Sequence, residues 1–333
     1  MKVFLMKPQQ SLFILLFSAG ISCSGWAQSE QNLRTPAEVL TAMEKSTISY
    51  IIDSNIDSTK LPAPVVLENT YFLQQDKQGI KLAKYTSSSF GISILNEAEE
   101  YFKKKDYRSA IGKYKELYDK QPNYFQALTY IGDCYYQLSD FDSASYYFKQ
   151  AIDKNFIDYQ AHWYLSDCYV YLKKPDESVR EMITAHLLNI NHKYMNLILQ
   201  SRVKKINREW KPWTFRPIYL LSKDGNKVNI ETTVEWLTYA MTKACWKYEP
   251  GFAVGVNEQL GDIKSTDLTE EKEAILGFLN DDKKVAILKP IIEDGYINEF
   301  IMYEIIAPQN PTILPLLPKK NFDRVIDYVM KYH

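Results

Sequence analysis

The chain has 333 residues, 40 basic against 41 acidic side chains and a net charge of −1. That is room for roughly two domains of ordinary size, without the basic excess a dedicated nucleic-acid binder carries. Twenty-five tyrosines against 12 glycines point to packed, helix-rich structure, and with four histidines, four cysteines and no CxxC pair there is no metal-ligand spacing and no cofactor implied.

Residues 1–27 read as a signal peptide. Lys2 and Lys7 form a basic start, LFILLFSAGI (12–21) is apolar, and Gly25 and Ala27 fit a small-x-small cleavage site before Gln28. The apolar run is too short for the ~20 residues that cross a bilayer. The expectation is an exported protein, periplasmic or associated with the cell envelope, with no transmembrane segment once the signal is removed. Cys23 in GISC offers a rival outcome, cleavage with a lipid anchor on that cysteine.

From 28 to 90 the chain reads as an N-terminal helical segment. Thr35-Pro36-Ala37-Glu38 is a capping box with proline at the first helical position, predicting a helix toward Ile52. SNIDSTKLPAPVV (54–66) is a loop by composition, and 69–88 is expected to return to helix.

Over 91–190 the sequence repeats itself. Ala110, Ala144 and Ser178 are 34 residues apart; Tyr101, Tyr135 and Tyr169 share that interval, as do Ala98, Gly132 and Ser166, then Tyr114, Phe148 and Met182, then Leu117, Ala151 and Ala185. Within each copy two helical apolar patterns flank a polar turn, KKKD (103–106), LSD (138–140) or KKP (173–175). Gapless register over three copies marks a stacked repeat, with small residues where paired helices approach and aromatics where the next copy packs. Gly132 is therefore expected to be a close-packing residue.

These repeats resemble the tetratricopeptide repeat (TPR) family, whose 34-residue units are helix-turn-helix pairs. The middle copy carries Leu128, Ile131, Gly132, Tyr135, Ala144, Phe148 and Ala151 at motif positions; the first keeps Ala98, Tyr101, Ala110, Tyr114 and the closing Pro122, with Glu97 where an apolar residue is usual. In the third, Pro175 replaces the aromatic that opens the second helix and Ser178 replaces alanine. The resemblance implies a mainly α TPR α-solenoid that binds a protein or peptide in a concave groove formed by the first helices.

Helical spacing places a second stripe beside the packing face. It runs through Glu99 and Phe102 in the first copy, Gln126, Thr129, Asp133, Tyr136 and Gln137 in the second, and Gln160, Trp163, Asp167 and Tyr171 in the third. Stacked, these give an acidic row (Glu99, Asp133, Asp167) flanked by aromatics, suited to a ligand with basic or neutral polar groups and an apolar anchor. An alternative has the flanking segments lying across this face and taking Trp163 and Tyr171 into the core. Cys134 and Cys168 occupy equivalent positions on neighbouring first helices, too far apart for the ~7 Å limit of a disulfide.

Residues 191–333 form an α-rich C-terminal region of no recognised family. NHKYMNLILQSRVKKINREW (191–210) reads as a long amphipathic helix with a basic cluster at Lys204, Lys205, Arg208 and Lys211. RPIYLLSKDGNKVNIE (216–231) carries a hairpin signal at Asp224-Gly225. Thr232-x-x-Glu235 is expected to cap a helix ending before Pro250, Thr269 opens another, and VAILKPII, INEFIMYEII and 321–332 suggest three more. There is no GxSxG, HExxH, P-loop or dinucleotide turn, so the expectation is a non-enzymatic scaffold. Its alternatives are a structural subunit of an envelope complex, or a small-molecule or catalytic site in the C-terminal half around Trp236, Trp246 and Glu249.

Overall fold

The computed structural model describes residues 33–67, 71–77, 79–85, 89–211, 215–253, 268–280 and 282–333. Residues 1–27, where a signal peptide is expected, lie with Cys23 and the expected start at Gln28 outside the described residues. In chain order the elements are α1 (Pro36–Lys45), β1 (Ser49–Asp53), β2 (Tyr71–Asp76), β3 (Gly79–Lys84), α2 (Ser89–Lys103), α3 (Tyr107–Lys120), α4 (Gln126–Gln137), α5 (Phe141–Lys154), α6 (Tyr159–Tyr171), α7 (Pro175–Leu188), α8 (Met195–Lys204), β4 (Tyr219–Asp224), β5 (Lys227–Thr232), α9 (Leu237–Tyr248), α10 (Thr269–Leu276), α11 (Asp282–Glu293), α12 (Ile297–Phe300) and α13 (Lys319–Tyr332). The chain divides into two compact units, one made of residues up to Ala63 with Phe215–Ile301, the other of Pro64–Thr214 with Met302–His333. This division cuts across the segments 28–90 and 191–333 that composition suggests, because the N-terminal strand pairs with one far along the chain.

In the first unit, β5 is the centre of a three-stranded sheet ordered β1-β5-β4, with β1 parallel to it and β4 antiparallel. The expected hairpin is present, turning at Gly225 (φ +55°). The capping box also forms: Glu38 N–H donates to the Thr35 hydroxyl, and Thr35 N–H to the Glu38 carboxylate. The helix it starts ends at Lys45, however, instead of continuing toward Ile52. The β-branched stretch beyond it becomes β1, which buries Tyr50 against Val228 and Ile230 of β5. Thr232 does not cap α9; it ends β5, its hydroxyl donating to the Ile218 carbonyl at 2.7 Å. Buried Glu273 on α10 accepts from the Arg34 N–H and guanidinium and from the Trp246 indole at 2.7 Å. Glu249 accepts from the Ser46 and Tyr50 hydroxyls, and Trp236 packs edge-on against Phe215 and Phe278. The three residues considered for a pocket thus have these partners inside this unit.

The second unit contains the repeats. Helix pairs α2/α3, α4/α5 and α6/α7 follow the 34-residue register, with Ala110, Ala144 and Ser178 all buried where the paired helices meet. A Cβ built on Gly132 would sit 2.6 Å from the Phe148 ring, so the glycine is there for close approach, as its register position predicts. In the third pair the small residues are Ser166 and Ser178, and each hydroxyl donates to the other's carbonyl, at 2.7 and 2.9 Å. Pro175 occupies the first turn of α7, where its missing N–H leaves no unmet bond.

The turns between paired helices are alike. Lys105, Ser139 and Lys173 have φ of 60°, 60° and 57°, and the next residue's N–H returns to the carbonyl five back, at Tyr101, Tyr135 and Tyr169, the glycine-like helix cap made here by non-glycine residues. Asn207 (φ 55°) and the bond from Arg208 N–H to the Val203 carbonyl repeat it 34 residues on. Met195, Leu199 and Val203 are buried at the positions of Ala161, Leu165 and Tyr169. So α8 is a fourth first helix, and the expected long helix over 191–210 stops at Lys204 because the repeat turn comes there.

The described residues of 69–88, 71–77 and 79–85, are not helical. β2 and β3 form an antiparallel hairpin with Leu73 opposite Leu82. The Asn155 side chain, at the end of α5, donates to the Tyr71 carbonyl at 2.8 Å and to the Tyr85 hydroxyl at 2.9 Å. Its register partner Asn189, at the end of α7, donates to the Leu67 carbonyl at 2.9 Å, and Asn191 to that of Val65 at 2.7 Å. Backbone that offers no regular ladder to the repeats is thus held by amides from them. At the far end α13 packs on α7, with an Arg180–Asp327 ion pair at 3.2 Å. Among the described residues no helix is long and apolar enough to cross a membrane.

Candidate peptide-binding face

The stripe read from spacing is built by α2, α4 and α6, and its members differ in what the fold leaves them free to do. Glu99 is half-buried and accepts from the Tyr114 hydroxyl at 2.6 Å. Asp133, one repeat on, is half-buried and accepts from the Gln137 amide at 3.1 Å. Burial pushes the Asp133 carboxyl above its ordinary value; the Gln137 amide opposes this and the charge of Glu99 adds to it. Neither acid pairs with a cation among the described residues.

The third acid is neutralised. Asp167 pairs with the Arg202 guanidinium from α8, whose pull opposes the upward push of burial on its carboxyl. Trp163, in the same repeat, meets His192 edge-on at 5.3 Å. The segment after the third repeat therefore meets that end of the stripe, but it takes neither aromatic into the core: Trp163 stays half-buried and Tyr171 56% exposed.

Thr129 must be withdrawn from the stripe. It is 1% exposed, and its hydroxyl donates at 2.7 Å to Asp158, which also accepts from the Gln160 and Ala161 N–H groups and so caps α6. Its role is to join two repeats. Gln126 and Gln160 are half-buried on the first turns of α4 and α6, and Gln137 is exposed at the end of α4.

The aromatics gather at the edge where each first helix turns into its second. Phe102 lies edge-on to Tyr107 at 5.3 Å, and Tyr136 to Phe141 at 5.5 Å. Tyr171 stacks on Phe141 at 4.1 Å and an interplanar angle of 1°. Cys134 and Cys168 are free and buried, and burial pushes both thiols up to about 12, which makes them poor nucleophiles. Sequence reasoning missed Arg202, Asn155 and Asn189; following the 34-residue register past 190 would have found the first.

Three stacked helix pairs, a fourth first helix and an uncompensated acidic pair on the first-helix side define an α-solenoid repeat protein with an open polar face. The tetratricopeptide repeat profile matches residues 95–155, the stretch from within α2 to the end of α5. No curated protein matches the chain. Solved structures similar to it include the first TPR domain of human RPAP3 (20% identity, 35% of this chain and 92% of that one, TM-score 0.34). The TPR2B domain of yeast Sti1 in its Hsp70 complex has 17% identity over 35% of this chain and 99% of that one, TM-score 0.34. The Yersinia enterocolitica secretion chaperone SycD with a peptide of the translocator YopD has 14% identity over 36% and 95%, TM-score 0.34.

Proposed function

We propose that the chain is an exported, non-enzymatic scaffold that binds a protein or peptide partner through the first-helix face of its repeats. The observation that carries this reading is the Glu99–Asp133 pair: two half-buried carboxylates in adjacent repeats with no cation among the described residues to neutralise them. Charge left unpaired in a partly desolvated setting is costly to the free protein and is relieved by a bound donor. Gln137, exposed at the end of α4, adds an amide beside Asp133 that suits an extended backbone, so the partner is expected to bring basic or neutral polar groups. Because Arg202 and His192 meet Asp167 and Trp163, the working part of the face is centred on the first and second repeats.

Export rests on the composition of 1–27, and N-terminal sequencing of the protein from an envelope fraction tests it: a start at Gln28 supports cleavage there, and a start at Met1 contradicts it. The binding reading is tested by affinity purification, comparing wild type with Glu99→Gln/Asp133→Asn after circular dichroism shows both folded. A partner captured by wild type and lost by the variant supports it; equal capture contradicts it.

A further inference from the structure

The repeat register continues across the boundary between the third repeat and α8, but the side chains that fill it do not. Between the second and third repeats, the edge where first helices end holds Tyr136, Phe141 and Tyr171, with Phe141 and Tyr171 stacked and Tyr136 edge-on to both. The residues 34 further on are Val170, Pro175 and Lys205. Three aromatic positions have lost their rings at once, and a cavity of about 260 Å³ stands there, lined by Val170, Lys173, Pro175, Ser178, Arg202 and Lys205.

The cavity's chemistry differs from that of the acidic face. Its walls at Val170 and Pro175 are apolar, while Lys173, Arg202 and Lys205 bring three cations. Arg202 shares its charge with Asp167, yet its Nε is a buried donor with no hydrogen-bond partner among the described residues. Lys173 and Lys205 are exposed and pair with no carboxylate among those residues. One ion pair against three cations leaves a surplus of two positive charges beside an apolar space. Its volume lies below the ~300–1,000 Å³ of common small-molecule sites, which suits a single anchoring side chain better than a whole ligand.

We propose that this cavity is a docking site for an acidic peptide segment, in which one aromatic side chain enters the space left by Tyr136, Phe141 and Tyr171 equivalents and flanking carboxylates meet Lys173, Lys205 and the free donor of Arg202. The ring would stand where the second repeat's own rings stand, and the two flanking acids match the two uncompensated charges. This site is separate from the Glu99–Asp133 face and takes ligands of opposite charge.

The test uses a fluorescently labelled octapeptide with Glu-Phe-Asp at its centre and Gly/Ser elsewhere, titrated with the full chain and followed by anisotropy. Peptides with Gln-Phe-Asn and Glu-Ala-Asp centres isolate charge and ring. The proposal expects saturable binding of Glu-Phe-Asp, weakened about tenfold by either change, weakened by Lys205→Glu, and abolished by Pro175→Phe/Lys205→Tyr, which returns two rings to the cavity. Equal binding of the three peptides, absence of saturable binding, or retention by the filled variant with an unchanged dichroism spectrum would each overturn it. If the filled variant does not fold, the peptide comparison on wild type decides alone. The peptides carry no basic residue, so failure here leaves the acidic-face reading standing, and the reverse holds.

Discussion

Replacing Gly132 with alanine sets two effects of known size against each other. In a helix interior, alanine is favoured over glycine by about 1 kcal/mol. Against this, the new Cβ would lie 2.6, 2.7 and 3.0 Å from three ring atoms of Phe148, closer than carbon atoms pack. Phe148 is fully buried and leans on Tyr164 at 5.6 Å, so its ring has no free direction in which to retreat. Overpacking a filled core costs about 1–3 kcal/mol, and the expected net result is destabilisation of up to about 2 kcal/mol. The same register position holds Ala98 in the first repeat and Ser166 in the third, where Tyr114 and Met182 stand at the register position of Phe148. Since the chain has two units, the assay should be local: hydrogen exchange of the α4 and α5 amides, followed by mass spectrometry. Gly132→Ala is expected to speed exchange there, and Phe148→Leu in the same chain to recover part of the loss. Slower exchange in the single variant would mean that helix propensity wins and that the Gly132–Phe148 contact does not set the spacing of the pair.

Two further outcomes follow from the geometry. Because burial holds the Asp133 carboxyl above its ordinary value of 3.8, the folded chain binds that proton more tightly than the unfolded one. Stability from this group is therefore greatest below the ordinary value and is lost as pH rises through the folded one. Asp133→Asn should raise the melting temperature at neutral pH and give no gain in acid; a gain that grows on acidification would contradict the assignment. Asn155→Ala removes the donor to the Tyr71 carbonyl and Tyr85 hydroxyl, at a cost of about 1–3 kcal/mol, and should make the 71–84 hairpin the first site of limited proteolysis, with the α4 and α5 amides still protected.

How much of this was legible in the sequence depended on whether the deciding contacts were local. The helix pairs were, because the 34-residue interval aligns small, aromatic and turn residues with no gap. The hairpin over 71–84 was not: its strands expose Leu73 and Ile80, so there is no clean alternation, and what fixes them is an asparagine from a repeat far along the chain. The strand at Ser49–Asp53 was hidden for the same reason, since its partner is β5. On the candidate face, spacing set the residues along the first helices but could not show which were buried or already engaged. Thr129 belongs to the Asp158 cap, and Asp167 to Arg202. The cavity at Val170 and Pro175 is legible only once α8 is seen to be a fourth first helix.

If the first-helix face of the repeats is the working surface, a photo-crosslinking residue at Gln137 should capture the partner, and one at Tyr146, on the exposed side of the second helix of the same repeat, should not, when cells that express each variant are irradiated. A discrete crosslinked species is expected from Gln137 that is absent from Tyr146 and disappears when Glu99→Gln/Asp133→Asn is added. Crosslinks from Tyr146 alone, or crosslinks from Gln137 unaffected by removing both acids, would contradict that reading.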